Sequence, residues 1–142
     1  MHRTIVAFES GTVAWRDHSE WRRWLEPARR PLLEADLREL QLTPLEPAEP
    51  THFACEPGLL GALYVLEGSA QGARMMMHQL RQHGAETGVH FLQAHAHDPR
   101  RWRALLARLE QGADTDAAAA EASALRMFTL AEAGFALAAK RT

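Results

Sequence analysis

Two residue types that favour helices dominate the chain. Its 142 residues include 26 Ala and 19 Leu but only four Val and one Ile. Alanine and leucine have high helix propensities, whereas Val and Ile prefer β-strands. This imbalance predicts an all-α fold. The length suits a single domain over residues 1–142, which can bury a core without disulfides or a structural metal.

Charge, cysteine content and hydropathy exclude several classes of function. A formal net charge of −2 gives no basic footprint for nucleic acid. The single cysteine, Cys55, cannot form an internal disulfide, and no Cys/His spacing suggests a zinc site. The longest apolar run, 57–66, is too short to span a bilayer, and residues 1–20 lack a signal-peptide core. We therefore expect a cytoplasmic protein without a nucleic-acid partner and without membrane insertion.

Prolines and one glycine divide the first third of the chain. Residues 1–25 are predicted to be helical with an aromatic face, interrupted at Gly11-Thr12. Pro27 ends or kinks this element, because proline lacks the backbone donor. Pro31 begins the next helix, at a position where proline is favoured. Residues 44–50 contain three prolines and are predicted to be a connection.

Capping residues organise the last third of the chain. The histidine-rich stretch 85–97 is predicted to be a loop or a short helix. Asp98 caps a helix with Pro99 in its first turn, and an amphipathic pattern follows. Thr115 or Asp116 caps the last helix, which is rich in alanine.

A long central helix carries the most informative pattern. It is predicted from residue 57 to about residue 83, with Gly84 as its stop. Helical periodicity places a core stripe on one face: Leu59, Leu63, Leu66, Ala70, Ala73, Met77 and Leu80. Gly61, Gly68 and Gly72 fall together on the opposite face. Each interior glycine costs about 1 kcal/mol relative to alanine, so the three together need a compensating role.

Two roles for the aligned glycines remain open. They allow another helix to approach closely, which is the commoner role, or they allow a flat ligand to lie against the backbone. Tyr64, Val65 and Met75 border the glycine face and would frame such a ligand. The polar flank of the helix is expected to be solvated or salt-bridged and comprises Glu67, Gln71, Arg74, His78 and Arg81.

Residues 61–73, Gly-Ala-Leu-Tyr-Val-Leu-Glu-Gly-Ser-Ala-Gln-Gly-Ala, resemble the distal-helix signature of bacterial biliverdin-producing heme oxygenases. Residues 31–40, residues 101–106 and the last helix are similar to that family in order and spacing. The resemblance implies a heme-oxygenase-like helical domain that holds heme between a proximal helix and a glycine-kinked distal helix. It also implies conversion of heme to biliverdin, CO and iron with O2. Electrons would come from a reductase or a ferredoxin-type donor, and no other metal is expected.

The resemblance also implies roles for individual residues. Gly68 and Gly72 would lie against the porphyrin and leave room for oxygen at the iron, while Ser69 would order distal water. Arg103 would pair with a heme propionate, or else it is an ordinary exposed helix residue. Phe128 would line the pocket, or else it belongs to the plain core. The other residues expected to contact heme are Gly61, Tyr64, Val65 and Met75.

The iron ligand is where the chain departs from the family pattern. The family's proximal histidine lies on a helix that would precede Met1, so the chain is expected to be short at its N-terminus. No histidine matches that ligand by motif, and the axial ligand is unknown. His2 and His18 are the only histidines on the N-terminal element and hence its only candidates. His95 and His97 are predicted to be a solvated pair.

Three hypotheses follow from these observations. The first is an active heme oxygenase whose iron ligand is an unexpected residue or lies upstream. The second is a catalytically inactive protein that binds heme, another tetrapyrrole or a partner protein. The third is a homodimer in which a second copy fills the place of the proximal helix, since large apolar patches are rarely left bare. Trp15, Trp21 and Trp24 could contribute to such a patch, although core burial is expected for at least two of them.

Overall fold

The computed structural model describes residues 1–96, 98–112 and 116–141, and this part of the chain contains helices and no β-strand. A short 3₁₀ helix spans Val13–Asp17. The α-helices are α1 (His2–Gly11), α2 (Ser19–Leu25), α3 (Arg30–Glu39), α4 (Glu56–Gln82), α5 (His90–Ala96), α6 (Pro99–Gln111) and α7 (Ala117–Ala139). The all-α prediction is therefore confirmed.

Local sequence chemistry accounts for one end of each of three helices, α4, α6 and α7. The Asp98 side chain accepts a hydrogen bond from the Arg100 amide at 2.9 Å, which caps α6 as predicted. Asp116 caps α7 in the same way through the Ala119 amide at 3.1 Å; Thr115, the alternative cap, lies outside the described residues. Helix α4 ends at Gln82, and Gly84 follows in the left-handed region with φ +69°.

Helix α4 lies at the centre of the fold and supplies much of the core. Six of its seven predicted stripe residues are buried, and Leu80 is half-buried near the helix end. The buried indoles of Trp21 and Trp24 pack into the same core, whereas Trp15 is half-buried at its edge. Burial of two of the three tryptophans confirms the expectation from the sequence.

Helix α7 lies along α4 but leaves much of its apolar surface uncovered. By length and composition it is the one helix of the described chain that could cross a membrane, with mean hydropathy 1.2 in its most apolar stretch. Only 11% of that stretch is buried. This helix does not stand out as an apolar run in the sequence, because Glu121, Arg126 and Glu132 interrupt its apolar residues.

Helix α5 is too short to be stable alone and is fixed by α3. The Asp36 carboxylate of α3 accepts hydrogen bonds from the amides of His90 and Phe91, at 2.8 and 3.0 Å. These bonds satisfy amides at the start of α5 that have no partner within the helix. They also set the direction in which α5 runs across α4.

Candidate functional site

An apolar groove of about 630 Å³ runs between α4 and α7. Its volume falls in the range of roughly 300–1,000 Å³ that is typical of small-molecule sites. Met1 and Thr4 of the N-terminal segment line the groove, and Trp102 of α6 contributes an aromatic side chain. The remaining lining residues are Tyr64, Val65, Leu66, Gly68, Ser69, Gly72, Met76, Met127, Phe128, Ala131, Glu132 and Phe135.

The groove brings together many of the residues singled out in the sequence. Those that line it are Tyr64, Val65, Gly68, Ser69, Gly72 and Phe128. Phe128 is 51% exposed, so the alternative that it belongs to the plain core is wrong. Three other predicted residues are absent from the lining. Gly61 lies beneath α7, the Met75 side chain is 67% exposed, and Arg103 is exposed on α6.

The three glycines of α4 have three different surroundings. A Cβ atom at Gly61 would lie 1.9 Å from the Ala120 carbonyl oxygen, so this glycine permits close contact between α4 and α7. At Gly68 a Cβ atom would lie 3.3 Å from the Trp102 ring. At Gly72 it would meet no described atom within 4 Å. Close packing therefore accounts for Gly61 and contributes at Gly68, but it does not account for Gly72.

Aromatic rings cover the glycine face beside Gly68. The rings of Tyr64 and Trp102 lie 5.2 Å apart at an angle of 44°. Such tilted pairs stabilise each other beyond their buried area. The pair forms an apolar boundary of the groove beside Gly68, whereas no described atom lies within 4 Å of a Cβ at Gly72.

One wall of the groove holds a polar atom without a partner. The Thr4 hydroxyl oxygen is buried and has no hydrogen-bond partner among the described residues, and the residue is only 2% exposed. A buried hydroxyl without a partner costs roughly 1–3 kcal/mol. Because Thr4 is among the lining residues, this unpaired hydroxyl lies within the wall of the groove.

Neither of the two candidate axial histidines lines the groove. The His2 ring lies towards α3, with Nε2 3.8 Å from the Glu34 carboxylate, which is beyond hydrogen-bond distance. His18 is exposed before α2, with its ring 6.3 Å from the Trp15 ring. None of the histidines that the structure describes is among the lining residues.

His95, which was predicted to be solvated, contacts one of the residues that line the groove. His95 Nε2 lies 2.8 Å from the Ser69 hydroxyl oxygen, and the hydroxyl also donates to the Leu66 carbonyl at 2.7 Å. The imidazole stacks on the Phe91 ring, 5.0 Å away and nearly parallel at 18°. The prediction of a solvated pair is therefore wrong for His95, while His97 lies outside the described residues.

A buried ionic cluster lies on the other side of His95. The Glu67 carboxylate, 3% exposed, accepts hydrogen bonds from Arg29 and from Arg101, the latter at 2.7 and 3.1 Å. Arg101 also donates to the Trp24 carbonyl at 3.1 Å. The flank of α4 was expected to be solvated or salt-bridged, and at Glu67 it forms a buried ion pair. These residues and His95 border a small cavity of about 70 Å³.

Burial and charge shift the acid–base properties of this cluster. Burial, followed by the positive charge of Arg29, lowers the pKa of His95 to about 4. Burial acts to raise the pKa of Glu67, but the hydrogen bond from Arg101 and the two guanidinium charges hold it below its usual value. Near neutral pH the imidazole is therefore neutral and the carboxylate is ionised.

A second group of potential metal ligands lies away from the groove. Asp36, Glu39 and His90 place one ligand atom each within 4.8 Å of one another. Their atoms are already engaged, since Asp36 caps α5 and Glu39 pairs with the His90 ring at 2.7 Å. Glu39 also accepts from the Gly88 amide at 2.8 Å. This cluster accounts for the attachment of α5 to α3.

Several groove residues were missed in the sequence. Phe135 follows Phe128 by seven residues, two helical turns, and this spacing could have identified it. Trp102 follows the cap of α6 closely, but its direction depends on how α6 packs against α4. Thr4 and His95 carry no local sequence signal, because their importance depends on neighbours from other helices.

The fold and the groove together define a class of protein. It is an all-α domain with an apolar groove along a helix that carries glycines. The chain is 35% identical over 125 residues to a protein named heme oxygenase from Xanthomonas campestris pv. campestris (strain 8004). That match covers 87% of this chain and 75% of the relative. No family model matches the chain, and no solved structure matches it. The chain belongs to the heme oxygenase family.

Proposed function

We propose that the protein binds heme in the groove between α4 and α7. We further propose that it cleaves heme oxidatively to biliverdin, CO and iron. The reaction would use O2 and electrons from an external reductase or ferredoxin-type donor. Membership of the heme oxygenase family supports the general activity. The groove supports the place of binding, because it is large, mostly apolar and lined by aromatic rings.

Gly72 is the observation that carries this proposal. It lies in the interior of α4, where glycine is about 1 kcal/mol less favourable than alanine. No described atom lies where its Cβ would be, so packing against the rest of the protein does not compensate this cost. A flat ligand that contacts the backbone at this position would account for the absence of a side chain. At Gly61, on the same helix, close contact with α7 accounts for the absence of a side chain.

The lining residues suit the chemistry of heme. Tyr64, Trp102 and Phe128 offer ring faces to a flat macrocycle, and Val65 offers an aliphatic contact. The Ser69 hydroxyl would hold water beside the bound substrate. Arg103 remains a proposed partner of a propionate at the rim, since it follows Trp102 on α6 and is exposed. Heme itself would supply the iron chemistry, while these residues bind it, orient it and limit access of water.

Titration with hemin tests the proposal directly. Purified protein should give a saturable one-to-one complex with a shifted Soret band. Gly72→Leu should weaken binding at least tenfold, because its side chain enters the groove. Gln71→Leu places the same side chain on the neighbouring exposed position and should bind as the wild type does. Absence of a saturable wild-type complex would overturn the proposal.

A second candidate function is binding of heme or another tetrapyrrole without turnover. It is favoured by one observation: none of the described histidines lines the groove. Adding ascorbate or a reductase system to the hemin complex under air separates the two functions. Formation of verdoheme and then biliverdin supports the oxygenase, whereas a stable ferrous complex supports the binding protein.

The exposed rings at the groove also bear on a possible homodimer. Phe128 and Phe135 are 51% and 60% exposed, and a second copy could cover them in the absence of heme. Sedimentation with and without hemin distinguishes the cases. A dimer that hemin dissociates would place the second copy on the groove, and a monomer in both samples would exclude this arrangement.

A further inference from the structure

The hydrogen bond between Ser69 and His95 connects two separate spaces in the molecule. Ser69 lines the apolar groove, whereas His95 lines the small polar cavity bordered by Arg29, Glu67 and Arg101. The two side chains meet at 2.8 Å between α4 and α5. They therefore form a polar bridge, one hydroxyl and one imidazole long, from the cavity to the groove.

The hydrogen-bond pattern favours one direction of donation in this bridge. A serine hydroxyl has a single hydrogen, and here it is donated to the Leu66 carbonyl at 2.7 Å. We expect the oxygen to accept from His95, with the imidazole hydrogen on Nε2; the distance itself fits either direction of donation. The other ring nitrogen, Nδ1, is free of this contact and is the one that can exchange a proton with water in the cavity.

The surroundings of His95 suit an imidazole that transfers protons while remaining neutral. Its ring is held by the stack on Phe91, so Nε2 stays directed at Ser69. Burial and the nearby Arg29 keep the ring neutral near pH 7 by lowering its pKa to about 4. The charged groups around it, Glu67, Arg29 and Arg101, are paired with one another and leave the imidazole to exchange protons with water.

We propose that His95 is a positioning residue that acts through Ser69 and relays protons from the polar cavity into the groove. The inference rests on the proposed function, because oxidative cleavage of heme consumes protons at the substrate. In one transfer the Ser69 hydroxyl turns from Leu66 and gives its proton to water in the groove. His95 Nε2 passes its own proton to the Ser69 oxygen, and Nδ1 takes one from water in the cavity. One proton has then moved from the cavity to the groove, and the ring is left with its hydrogen on Nδ1. Between turnovers the groove is open to solvent, so Ser69 and Nε2 take up a proton from bulk water while Nδ1 releases one to the cavity, which restores the starting form.

The pairing can be tested in the protein without heme. Long-range ¹H–¹⁵N NMR spectra report which nitrogen of each imidazole carries hydrogen, and His95→Gln identifies the signal of His95. The expected result is the Nε2–H form. The Nδ1–H form would make Ser69 the donor and would overturn the relay. This measurement does not depend on substrate or activity.

The relay itself is tested with two variants of His95 in the hemin complex. Glutamine keeps a donor near Ser69 but cannot exchange protons, and phenylalanine keeps only the ring stack on Phe91. Both should bind hemin within twofold of the wild type, because His95 does not line the groove. Both should convert it at least tenfold more slowly, with a larger solvent isotope effect. Loss of a proton-transfer group costs roughly 10²–10⁴-fold, and water in the open groove would replace part of it.

The matched control is His52→Phe. His52 is exposed and lines neither the groove nor the small cavity, so this variant should behave as the wild type. Wild-type turnover in both His95 variants would overturn the relay. If the wild-type protein binds no hemin, the proposed function fails and the relay fails with it. The NMR result would then still decide which ring nitrogen of His95 carries the hydrogen.

Discussion

Gly61 lies so close to Ala120 that a Cβ atom there would be 1.9 Å from the Ala120 carbonyl oxygen. Backbone cannot move aside as a side chain can, so α4 and α7 would have to separate. We expect Gly61→Ala to lower the free energy of unfolding by about 1–3 kcal/mol or more, which is the range for overpacking. Urea denaturation measures the change. A variant as stable as the wild type would contradict the close contact of the two helices.

Gly72→Ala should have the opposite effect on the same helix. The new methyl group meets no described atom, and alanine is favoured over glycine in a helix interior by about 1 kcal/mol. We therefore expect a gain of up to about 1 kcal/mol in the free energy of unfolding of the ligand-free protein. Affinity for hemin should fall, because the methyl group occupies the floor of the groove. A loss of stability would show that the space above Gly72 is filled.

Thr4→Val tests the unpaired hydroxyl in the groove wall. Valine has nearly the same shape without the hydroxyl, so removing a buried polar atom that lacks a partner should stabilise the protein by about 1 kcal/mol. Thr12→Val is the matched control, since the buried Thr12 hydroxyl donates to the Phe8 carbonyl at 3.0 Å. That variant should be destabilised. Thermal unfolding of the two variants side by side would detect the difference in sign.

Glu67→Gln should be strongly destabilising. It removes the charge that compensates two guanidinium groups, of which Arg29 is itself only 7% exposed. Breaking a buried ion pair by removing one partner costs roughly 3–5 kcal/mol. Glu34→Gln breaks the exposed pair with Arg30 and should cost less than about 1 kcal/mol. Equal effects in chemical denaturation would show that Glu67 is not a buried charge.

The neutral imidazole of His95 predicts a particular dependence of stability on pH. Burial lowers the pKa of His95 from 6.5 to about 4 in the folded protein. Between these values the unfolded chain binds a proton that the folded chain does not, so stability falls as the pH is lowered from 6.5 towards 4. The slope from one such group is at most about 1.4 kcal/mol per pH unit. His95→Gln should remove this part of the slope, as urea titrations at several pH values would show.

Local chemistry made much of the fold predictable from the sequence. Asp98 caps α6 and Gly84 ends α4 through interactions with residues a few positions away. The core stripe of α4 follows directly from helical periodicity, and its apolar side chains have no other favourable environment. The resemblance of residues 61–73 to a family signature also identified the helix that forms the floor of the groove.

What could not be predicted depends on which elements face each other. Gly61 and Gly72 share a helix face, yet one lies against Ala120 and the other is open. Periodicity cannot distinguish them, because it describes only their own helix. Phe128 had no predicted partner to decide between core and groove. His95 was assigned to solvent because no neighbour in the sequence indicates that α5 turns it towards Ser69.

The cap that Asp36 places on α5 also has a consequence for the order of folding. The two amides it binds lie 54 and 55 positions further along the chain, and α5 is too short to form a stable helix before this long loop closes. Contacts that span so many residues are slow to form. During refolding, His95 would therefore reach its place beside Ser69 only after α3 and α5 have met. Until that happens, the Ser69 side of the groove would have no connection to the cavity that His95 borders.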